Sequence, residues 1–444
     1  MELKHRHIIG ICLLCGLLGA TSCNDESIVQ QPPAEQDNTV YLAFHTAVVG
    51  ASTRADGTPD DENINQLRIV IASKASDDTD GASAWEVEEN RLITETNIQL
   101  SDEYTFRVKA GCQKRIYLLA NCNGLEDTNG NLLDFTSTRA FLPDANGKAP
   151  VDGYVFGLGD KDGGYQYATA LEAGNGIPMT SVYEITIPPK DEANEKDFAN
   201  GFYQGMPEVL YVVRAATKFS FAFGKTAKRT INVTGFSLKK AIKDRMYLMP
   251  HVNKDTDGKY WVANTGDEDN PPKAILPGEG TAHDWITWMV AESEKAESEA
   301  TQYQWLTDYE VPQPKEGEKD GNFDYSFSKA IEVSALKAGE EAKFTTPVYL
   351  PESDGKEKDA DLKLQEYEVT IHTEEGFDEE VTAPDSPKVA RSYTATLPNL
   401  ASLFRNTHVK VKVNFKNLSE AELELEVDVE PYWEVVLDPV FGLD

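Results

Sequence analysis

Residues 409–430 read VKVKVNFKNLSEAELELEVDVE, and this stretch alternates apolar and polar residues in two runs. In the first run, Val409 to Phe415, lysines stand between valines; in the second, Leu423 to Val429, carboxylates stand between apolar residues. A period of two predicts β-strands with one apolar face. With Lys416 to Glu420 as the turn, the runs predict a hairpin whose outer face pairs lysines with carboxylates across the strands.

Strand signals, either alternating or continuously apolar, occur along most of the chain. They are separated by polar turns such as Asp-Thr-Asp-Gly or Asp-Thr-Asn-Gly, which begin at Asp78, Asp127 and Asp255. Many short strands joined by such turns predict an all-β fold built from β-sandwiches. The other strands predicted in this way are Thr39–Val49, Leu67–Ile71, Tyr104–Val108, Ile116–Ala120, Val182–Ile187, Leu210–Val213, Lys218–Phe223 and Tyr367–Ile371.

The N-terminus carries a second strong signal. Residues 4–7 are basic, residues 8–20 form an almost unbroken apolar run, and small residues at 20–22 stand directly before Cys23. This order predicts a secretory signal, because the apolar run is too short to cross a bilayer. The position of Cys23 suits lipoprotein processing, with acylation of the thiol; the alternative is an ordinary signal peptide with an incidental cysteine. Residues 24–38 predict a flexible tether.

Cys112 and Cys122 are the two cysteines of the predicted folded part. They flank residues 116–120, an apolar run that predicts a buried strand. Ten residues of strand separate their ends by about 33 Å, far more than the roughly 7 Å that a disulfide allows. We therefore expect two unbridged, chemically inert thiols.

Composition and motifs exclude several classes of protein. The formal net charge of −33 at pH 7 excludes a nucleic-acid binder, because a phosphate backbone requires clusters of Lys and Arg. The sequence contains neither a His-Glu-x-x-His zinc motif nor a Gly-x-Ser-x-Gly nucleophile motif. Residues 253–258 imitate a calcium loop, but Asn264 stands where the bidentate Glu belongs. We expect no enzymatic activity, no cofactor and no metal site.

Residues 282–305 are the most helix-like segment and contain Trp285 and Trp288. Their i, i+3 spacing is typical of the apolar face of a helix. If these two and Trp261 were exposed in one plane, they would suit stacking on sugars. A lipid-anchored surface glycan-binding protein is therefore an alternative reading of the chain.

The first strand and the C-terminal segment share one pattern. The first strand precedes a small, polar loop that contains Arg54-Ala55, and the C-terminal segment alternates up to the end of the chain. The apolar positions that we compare are Val40, Leu42, Phe44 and Val48 in the first strand and Val435, Leu437, Phe441 and Leu443 in the C-terminal segment.

A cut between Arg54 and Ala55 would let the first strand leave its groove, and the C-terminal segment of another copy has the period needed to fill it. Four buried side chains of this kind contribute on the order of 6–12 kcal/mol before ordering costs. Pro439 has no N–H, and we expect it near Thr46, the least apolar position of the first strand. The alternative is that both segments are ordinary edge strands of their own sandwiches.

Short motifs spread over the whole chain belong to one family pattern: Ala20-Thr21-Ser22-Cys23, Thr53-Arg54-Ala55-Asp56, Ile177-Pro178-Met179-Thr180, Arg214-Ala215-Ala216-Thr217-Lys218-Phe219, Pro347-Val348-Tyr349-Leu350-Pro351-Glu352, Arg405-Asn406-Thr407-His408 and Pro431-Tyr432-Trp433. Together they resemble the fimbrillins, the type V pilins. The resemblance implies two tandem transthyretin-like β-sandwich domains with loop and short helical insertions. It also implies export as a lipoprotein, Arg-directed removal of the first strand, and polymerisation by strand exchange at the cell surface.

The resemblance also implies partners and a location. Expected partners are other copies of the chain, other fimbrial subunits, and the outer membrane through the lipid; surface glycans or proteins of a host or of other bacteria are further candidates. Asp25-Glu26 resembles the acidic signal that sends such lipoproteins to the outer face. The expected location is the outer membrane surface, in a fimbrium. A stalk subunit and a non-polymerising tip or anchor subunit both stay open.

We predict four segments on this basis. Residues 1–22 are the signal peptide, and residues 23–54 are a propeptide that contains the tether and the first strand. Residues 55–225 are an N-terminal sandwich, and residues 226–444 are a C-terminal sandwich with the candidate donor strand. An acidic segment, residues 188–201, predicts a long loop ahead of the domain boundary.

Overall fold

The alternating segments form β-strands in the computed structural model, which describes residues 38–48, 63–75, 84–94, 98, 103–144, 147–157, 160–161, 164–165, 176–227, 229–241, 245–249, 321–333, 340–351, 353–354, 367–378, 388–397, 402–403, 405–416 and 423–431. The strands predicted between Thr39 and Val429 are confirmed over the described residues, most of them as part of a longer strand. The alternating C-terminal segment from Val435 onward lies outside the described residues. The all-β fold class is also confirmed.

The observed strands are β1 Thr39–Val48, β2 Leu67–Ala75, β3 Glu86–Ile93, β4 Glu103–Lys109, β5 Cys112–Ala120, β6 Val155–Gly157, β7 Asp160–Lys161, β8 Gly164–Tyr165, β9 Met179–Ile187, β10 Phe198–Ala199, β11 Phe202–Tyr203, β12 Val209–Arg214, β13 Thr217–Lys225, β14 Arg229–Ala241, β15 Arg245–Tyr247, β16 Gly321–Glu332, β17 Ala342–Leu350, β18 Ser353–Asp354, β19 Glu368–Asp378, β20 Val389–Thr396, β21 Ser402–Leu403, β22 Thr407–Phe415 and β23 Leu423–Pro431.

Short 3₁₀ turns interrupt the strands at Thr138–Phe141, Pro150–Gly153 and Glu192–Asp197. The last of these and the short strand β10 lie in the acidic segment 188–201, so the long loop predicted there is not free of regular structure. Asp191 caps the turn, because its side chain accepts a hydrogen bond from the Asn194 N–H at 3.1 Å. Within the described ranges, no helix is long and apolar enough to cross a membrane.

The first half of the chain builds one curled sheet. Its strand order is β4-β1-β12-β9-β5-β2-β3, with the β11–β10 pair attached to β1. Residues 209–212 of β12 pair with β1, whereas Val213 and Arg214 pair with β9. The end strands β3 and β4 also meet, since the Arg91 guanidinium lies 4.4 Å from the centre of the Phe106 ring. The sheet therefore folds over itself into the two facing layers of a sandwich.

Two cores lie on opposite faces of β2 and β5. Ile69 and Leu118 point into the core between the two layers. Their neighbours Val70 and Leu119 point the other way and join a second core. Because β2 and β5 are covered on both faces, residues 116–120 form a continuous apolar run rather than an alternating one.

The second half of the chain forms a sandwich of two four-stranded sheets, β17-β13-β22-β23 and β16-β14-β19-β20. Aromatic side chains fill the space between them. The ring centres of Phe221 on β13 and Phe236 on β14 are 4.1 Å apart, and those of Tyr393 on β20 and Phe415 on β22 are 6.0 Å apart.

The hairpin predicted from residues 409–430 is confirmed as β22 and β23, which pair antiparallel over the whole of β22. Lys412 is opposite Glu426, with its Nζ 3.9 Å from the carboxylate. This exposed ion pair contributes little stability. The stabilising face is the other one, where Val411 and Val413 are buried.

Polar contacts join the two halves at β15, which pairs with β6. The buried guanidinium of Arg405 donates to the carbonyl oxygens of Tyr247 and Leu248 at 2.7 and 3.0 Å. The Thr180 hydroxyl donates to the same Leu248 oxygen at 2.7 Å. The second core continues from the outer face of the first sandwich into the interior of the second one. The two halves therefore share apolar packing as well as hydrogen bonds.

Strand pairing bears on where the two halves divide. β13 lies within the predicted N-terminal domain, residues 55–225, yet it pairs with β17 and β22 of the second sandwich. A division drawn on strand pairing would fall before Thr217. The boundary at residue 225 stays a prediction.

Cys112 and Cys122 are buried and unbridged, as predicted. They lie at or just beyond the two ends of β5, which keeps them apart. Burial raises the pKa of both thiols, so both are protonated at neutral pH. Neither cysteine is a reactive group in the folded protein.

Asn121 ties together three segments directly after β5. Its backbone has a φ of +56° and its side chain is fully buried. The side-chain oxygen accepts from the Asn65 N–H at 2.9 Å, and the side-chain nitrogen donates to the carbonyl oxygens of Asn63 and Ile177 at 2.7 and 3.0 Å. Asn is among the few residue types that supply both the left-handed backbone and these hydrogen bonds.

We expect Asn121→Ala to lower the free energy of unfolding by about 3–5 kcal/mol, because it strains the backbone and leaves buried polar groups unpaired. Asn121→Gly removes the same side chain but accepts a positive φ, so its loss should be smaller by about 1 kcal/mol. Urea unfolding of both variants measures the difference. Equal losses would contradict a role for the backbone angle.

Candidate functional site in the groove of the first strand

β1 lies in the interior of the curled sheet. The four residues predicted for the displaced strand, Val40, Leu42, Phe44 and Val48, are all buried, with exposures of 1%, 0%, 1% and 6%. Tyr41, on the opposite face, is 41% exposed. The alternation in the sequence therefore corresponds to one buried and one outward face, as predicted.

The remaining predicted site residues lie outside the described residues and stay predictions. They are the lipidation residue Cys23, the processing residues Arg54 and Ala55, the donor positions Val435, Leu437, Phe441 and Leu443, and the tryptophans Trp261, Trp285 and Trp288. The segments 253–258 and 282–305 also lie outside the described residues.

β1 has a neighbour on each side. Residues 39–45 pair antiparallel with β4, and residues 45–48 pair parallel with β12. The backbone N–H groups of Tyr41 and His45 donate to the carbonyl oxygens of Gly201 and Glu208, each at 2.8 Å. The alternative that β1 is an ordinary edge strand is therefore wrong. Its loss would open a groove between β4 and β12.

Phe44 is the central packing residue of this groove. Its ring stacks on Phe106 of β4, with ring centres 5.7 Å apart and an angle of 21° between the planes. The Tyr104 ring lies 6.4 Å away. The facing layer, which includes Ile69 and Leu118, closes the floor. β1 is therefore part of the first core, together with β4 and β12 on either side of it.

The β12 wall is held in place by Tyr183 of β9. The Tyr183 hydroxyl donates to the Tyr211 carbonyl at 2.9 Å and accepts from the Tyr211 N–H at 2.6 Å. Burial raises the pKa of Tyr183, so the hydroxyl keeps its proton at neutral pH. Near Tyr211, β12 no longer pairs with the β9 backbone, which it joins only at Val213 and Arg214 in the described ladders. The Tyr183 hydroxyl replaces those backbone bonds and fixes the position of β12 beside the groove.

Polar groups of β1 differ in how well they are paired. At the start of the strand, the Arg107 Nε donates to the Thr39 hydroxyl at 2.9 Å. At its other end, neither Thr46 Oγ1 nor His45 Nδ1 has a hydrogen-bond partner among the described residues, although both atoms are buried. The C-terminal end of β1 is thus its less well satisfied end.

The β10–β11 pair depends on β1. Within the described residues, β11 pairs with β10 and with β1, through Tyr41 opposite Phe202. The rings of these two residues have centres 5.4 Å apart. Loss of β1 would therefore remove the strand that connects this pair to the sheet.

The lining of the groove indicates what it could hold. It is lined by apolar side chains and backbone edges. No group of three or more His, Cys, Asp or Glu side chains suited to a metal ion occurs among the described residues. Chemically, the arrangement suits an extended peptide that pairs with both walls and inserts alternate side chains.

Comparisons with known proteins give matches among solved structures. No family model and no curated protein matches the chain. A candidate cell adhesion protein from Parabacteroides distasonis ATCC 8503 is 12% identical with a TM-score of 0.41, over 90% of this chain and 98% of that one. The tip fimbrial protein Mfa3 from Porphyromonas gingivalis, with a C-terminal truncation, is 11% identical with a TM-score of 0.40, over 88% and 99%.

A fimbrial assembly protein from Parabacteroides distasonis ATCC 8503 is 9% identical with a TM-score of 0.36, over 88% of this chain and 95% of that one. These matches run along nearly the whole of each chain. At this level of identity and superposition, they carry no conclusion about activity or partners.

Several features of the groove have no clear signal in the sequence. Alternation identified the buried face of β1 but not its place between β4 and β12, which are far apart in the chain. In the sequence, Tyr183 looks like one more aromatic residue of an apolar strand. The short strand β10 falls inside the predicted acidic loop, and β11 follows directly after it. A partial signal existed in residues 209–214, a run without alternation that suits a strand buried between neighbours.

We expect Phe44→Ala to destabilise the uncut protein by about 3–5 kcal/mol, because it leaves a cavity in the core of the first sandwich. Tyr41→Ala removes a comparable ring from the outward face of the same strand. Its effect should be smaller by at least about 2 kcal/mol. Urea unfolding measures both. Similar losses would contradict the inward packing of Phe44.

Proposed function

We propose that the protein is a structural and adhesive subunit of a cell-surface fimbrium, exported as a lipoprotein, cut after Arg54 and polymerised by donor-strand exchange. The observation that carries the proposal is the position of β1. It is a buried strand with a neighbour on each side, and it is linked to the next strand, β2, through the segment that contains Arg54. One cut in that segment would turn an integral strand into a separate, non-covalently held peptide.

The N-terminal sequence supplies the rest of the precursor. In this proposal Cys23 carries the lipid, and residues 23–54 form a propeptide that holds β1 in the groove during export. After cleavage the mature body begins at Ala55 and has an open acceptor groove. Other copies of the chain and other fimbrial subunits are the proposed partners, at the outer membrane surface.

The ladder of β1 restricts how a strand with a proline can enter. The N–H of His45 points toward β12, so the N–H of Thr46 points toward the β4 side. Among the described residues, the β4 ladder ends at the His45–Glu103 pair. A proline at the Thr46 position would therefore keep the N–H bonds of β1 to the β12 side, because its missing N–H belongs to the β4 side. The expected placement of Pro439 near Thr46 is compatible with the β12 ladder.

That placement gives a register for the donor. If the C-terminal segment of another copy runs in the direction of β1 with Pro439 at Thr46, Leu437 takes the place of Phe44. The same register puts Val435 at Leu42 and Phe441 at Val48, and Leu443 extends past the end of β1. Val436 and Asp438 then face outward, as alternation requires.

We expect assembled material from wild-type cells to begin at Ala55, measured by intact mass and N-terminal sequencing. Arg54→Ala should retain the propeptide and stay monomeric, because β1 remains covalently attached in the groove. Arg139→Ala, which changes an exposed arginine elsewhere, is the matched control and should be cut and should polymerise. Fibres whose subunits begin at Cys23 would overturn the proposal.

We expect Leu437→Asp to weaken polymerisation of cleaved protein at least 100-fold, because it would bury a carboxylate in an apolar groove. Val436→Asp places the same charge on the outward face and should polymerise nearly as wild type. Deletion of residues 434–444 should leave a cleaved subunit that accepts a donor strand but cannot supply one. Electron microscopy and SDS-resistant ladders measure assembly. If the truncated protein alone elongates into fibres, the donor lies elsewhere.

A further inference from the structure

Thr46 occupies a position in β1 where an apolar residue is expected. It is on the same face as Leu42 and Phe44, is 1% exposed, and lies opposite the fully buried Leu210 of β12. Its side chain therefore faces the core of the first sandwich. The remaining inward positions of the strand, Val40, Leu42, Phe44 and Val48, are all apolar.

The Thr46 hydroxyl is also unusual among the buried threonines. Its Oγ1 has no hydrogen-bond partner among the described residues. By contrast, the Thr180 hydroxyl donates to Leu248 O at 2.7 Å, and the Thr373 hydroxyl donates to Glu375 at 3.0 Å. A buried hydroxyl without a partner loses its hydration and gains nothing in return.

A second buried atom without a partner among the described residues belongs to the neighbouring residue, whose side chain lies on the opposite face of the strand. This atom is the Nδ1 of His45, the residue before Thr46. Both residues are at the end of β1 that leads into the segment containing Arg54. The backbone at this end is paired with β12 over residues 45–48. The weak point there is therefore in the buried side chains and not in the described ladder.

We propose that Thr46 makes β1 a weak occupant of its own groove and thereby favours its replacement by a donor strand. The inference rests on the proposed function. A donor with Pro439 at this position would bring neither a hydroxyl nor an N–H to the site, so it would bury no unpaired polar atom there. Thr46 is thus a residue that determines which of two competing strands the groove prefers.

The first test uses the uncut protein and does not depend on strand exchange. Thr46→Val keeps nearly the same shape and removes the hydroxyl, so it should lower the unfolding equilibrium constant about tenfold. Thr180→Val makes the same change at a buried threonine that has a partner and should raise that constant. Urea unfolding measures both. If Thr46→Val fails to stabilise the protein, the inference is wrong.

The second test follows the strand after cleavage. Protein cut at Arg54 by an Arg-specific protease is separated from free peptide, and native mass spectrometry measures how long residues 23–54 stay bound. The propeptide of Thr46→Val should remain bound about ten times longer than that of wild type, and fibre formation should be delayed accordingly. Thr39→Val, which loses the Arg107 hydrogen bond instead, should not prolong retention.

The outcomes separate the two claims. If wild type releases the propeptide and polymerises while Thr46→Val does so at the same rate, the inference about Thr46 is wrong and the proposed function stands. If cut wild type keeps its propeptide and never forms fibres, the proposed function fails, and the exchange role of Thr46 fails with it. The urea measurement then still decides whether the hydroxyl weakens β1.

Discussion

The double pairing of β1 is the constraint on which the first sandwich depends. In the described ladders, β1 pairs with β4 on one side and with β12 on the other. It therefore links these two strands within the sheet. Without an occupant, two strand edges and the apolar floor beneath them would be open to water. Exposed edges and apolar surface both favour association with another strand. Any chain that fills the groove must therefore pair antiparallel with β4, pair parallel with β12, and insert apolar side chains at every second position.

The sequence predicts the strands of this fold far better than their arrangement. Alternation marks Val409–Phe415 and Val40–Val48 because each has one face in a core and one toward solvent. Pairing between strands that are distant in the chain leaves no such local mark, so the parallel contact of β1 with β12 could not be read from the sequence. Lys114 gives another limit: it is fully buried and paired with Glu88 at 2.8 Å, although a lysine predicts an exposed position. Burial lowers its pKa, and the carboxylate opposes that shift.

Only part of the groove could be predicted, because the sequence shows local alternation but not the pairing of distant strands. The inward residues Leu42 and Phe44 follow from period two, whereas the supports of the walls do not. Tyr183 acts through its hydroxyl on the backbone of Tyr211, a partner on another strand. The sequence marks Thr46 as the least apolar inward residue of β1, but whether its hydroxyl has a partner depends on strands that the pattern cannot place. Local composition therefore identifies candidate residues, and only the fold determines whether their polar groups have hydrogen-bond partners.

Under the proposed exchange, the body of the protein must stay folded while the groove is empty, and the layout of the two cores would favour this. The floor of the groove consists of β2, β5 and β9, whose ladders with one another do not involve β1. The opposite face of that floor is covered separately: the Tyr117 ring packs 5.3 Å from Phe141, within a core that continues into the second sandwich. Losing β1 would uncover one face of the floor but leave the other face and its ladders intact. The shared second core thus supports the floor from the face that β1 does not cover.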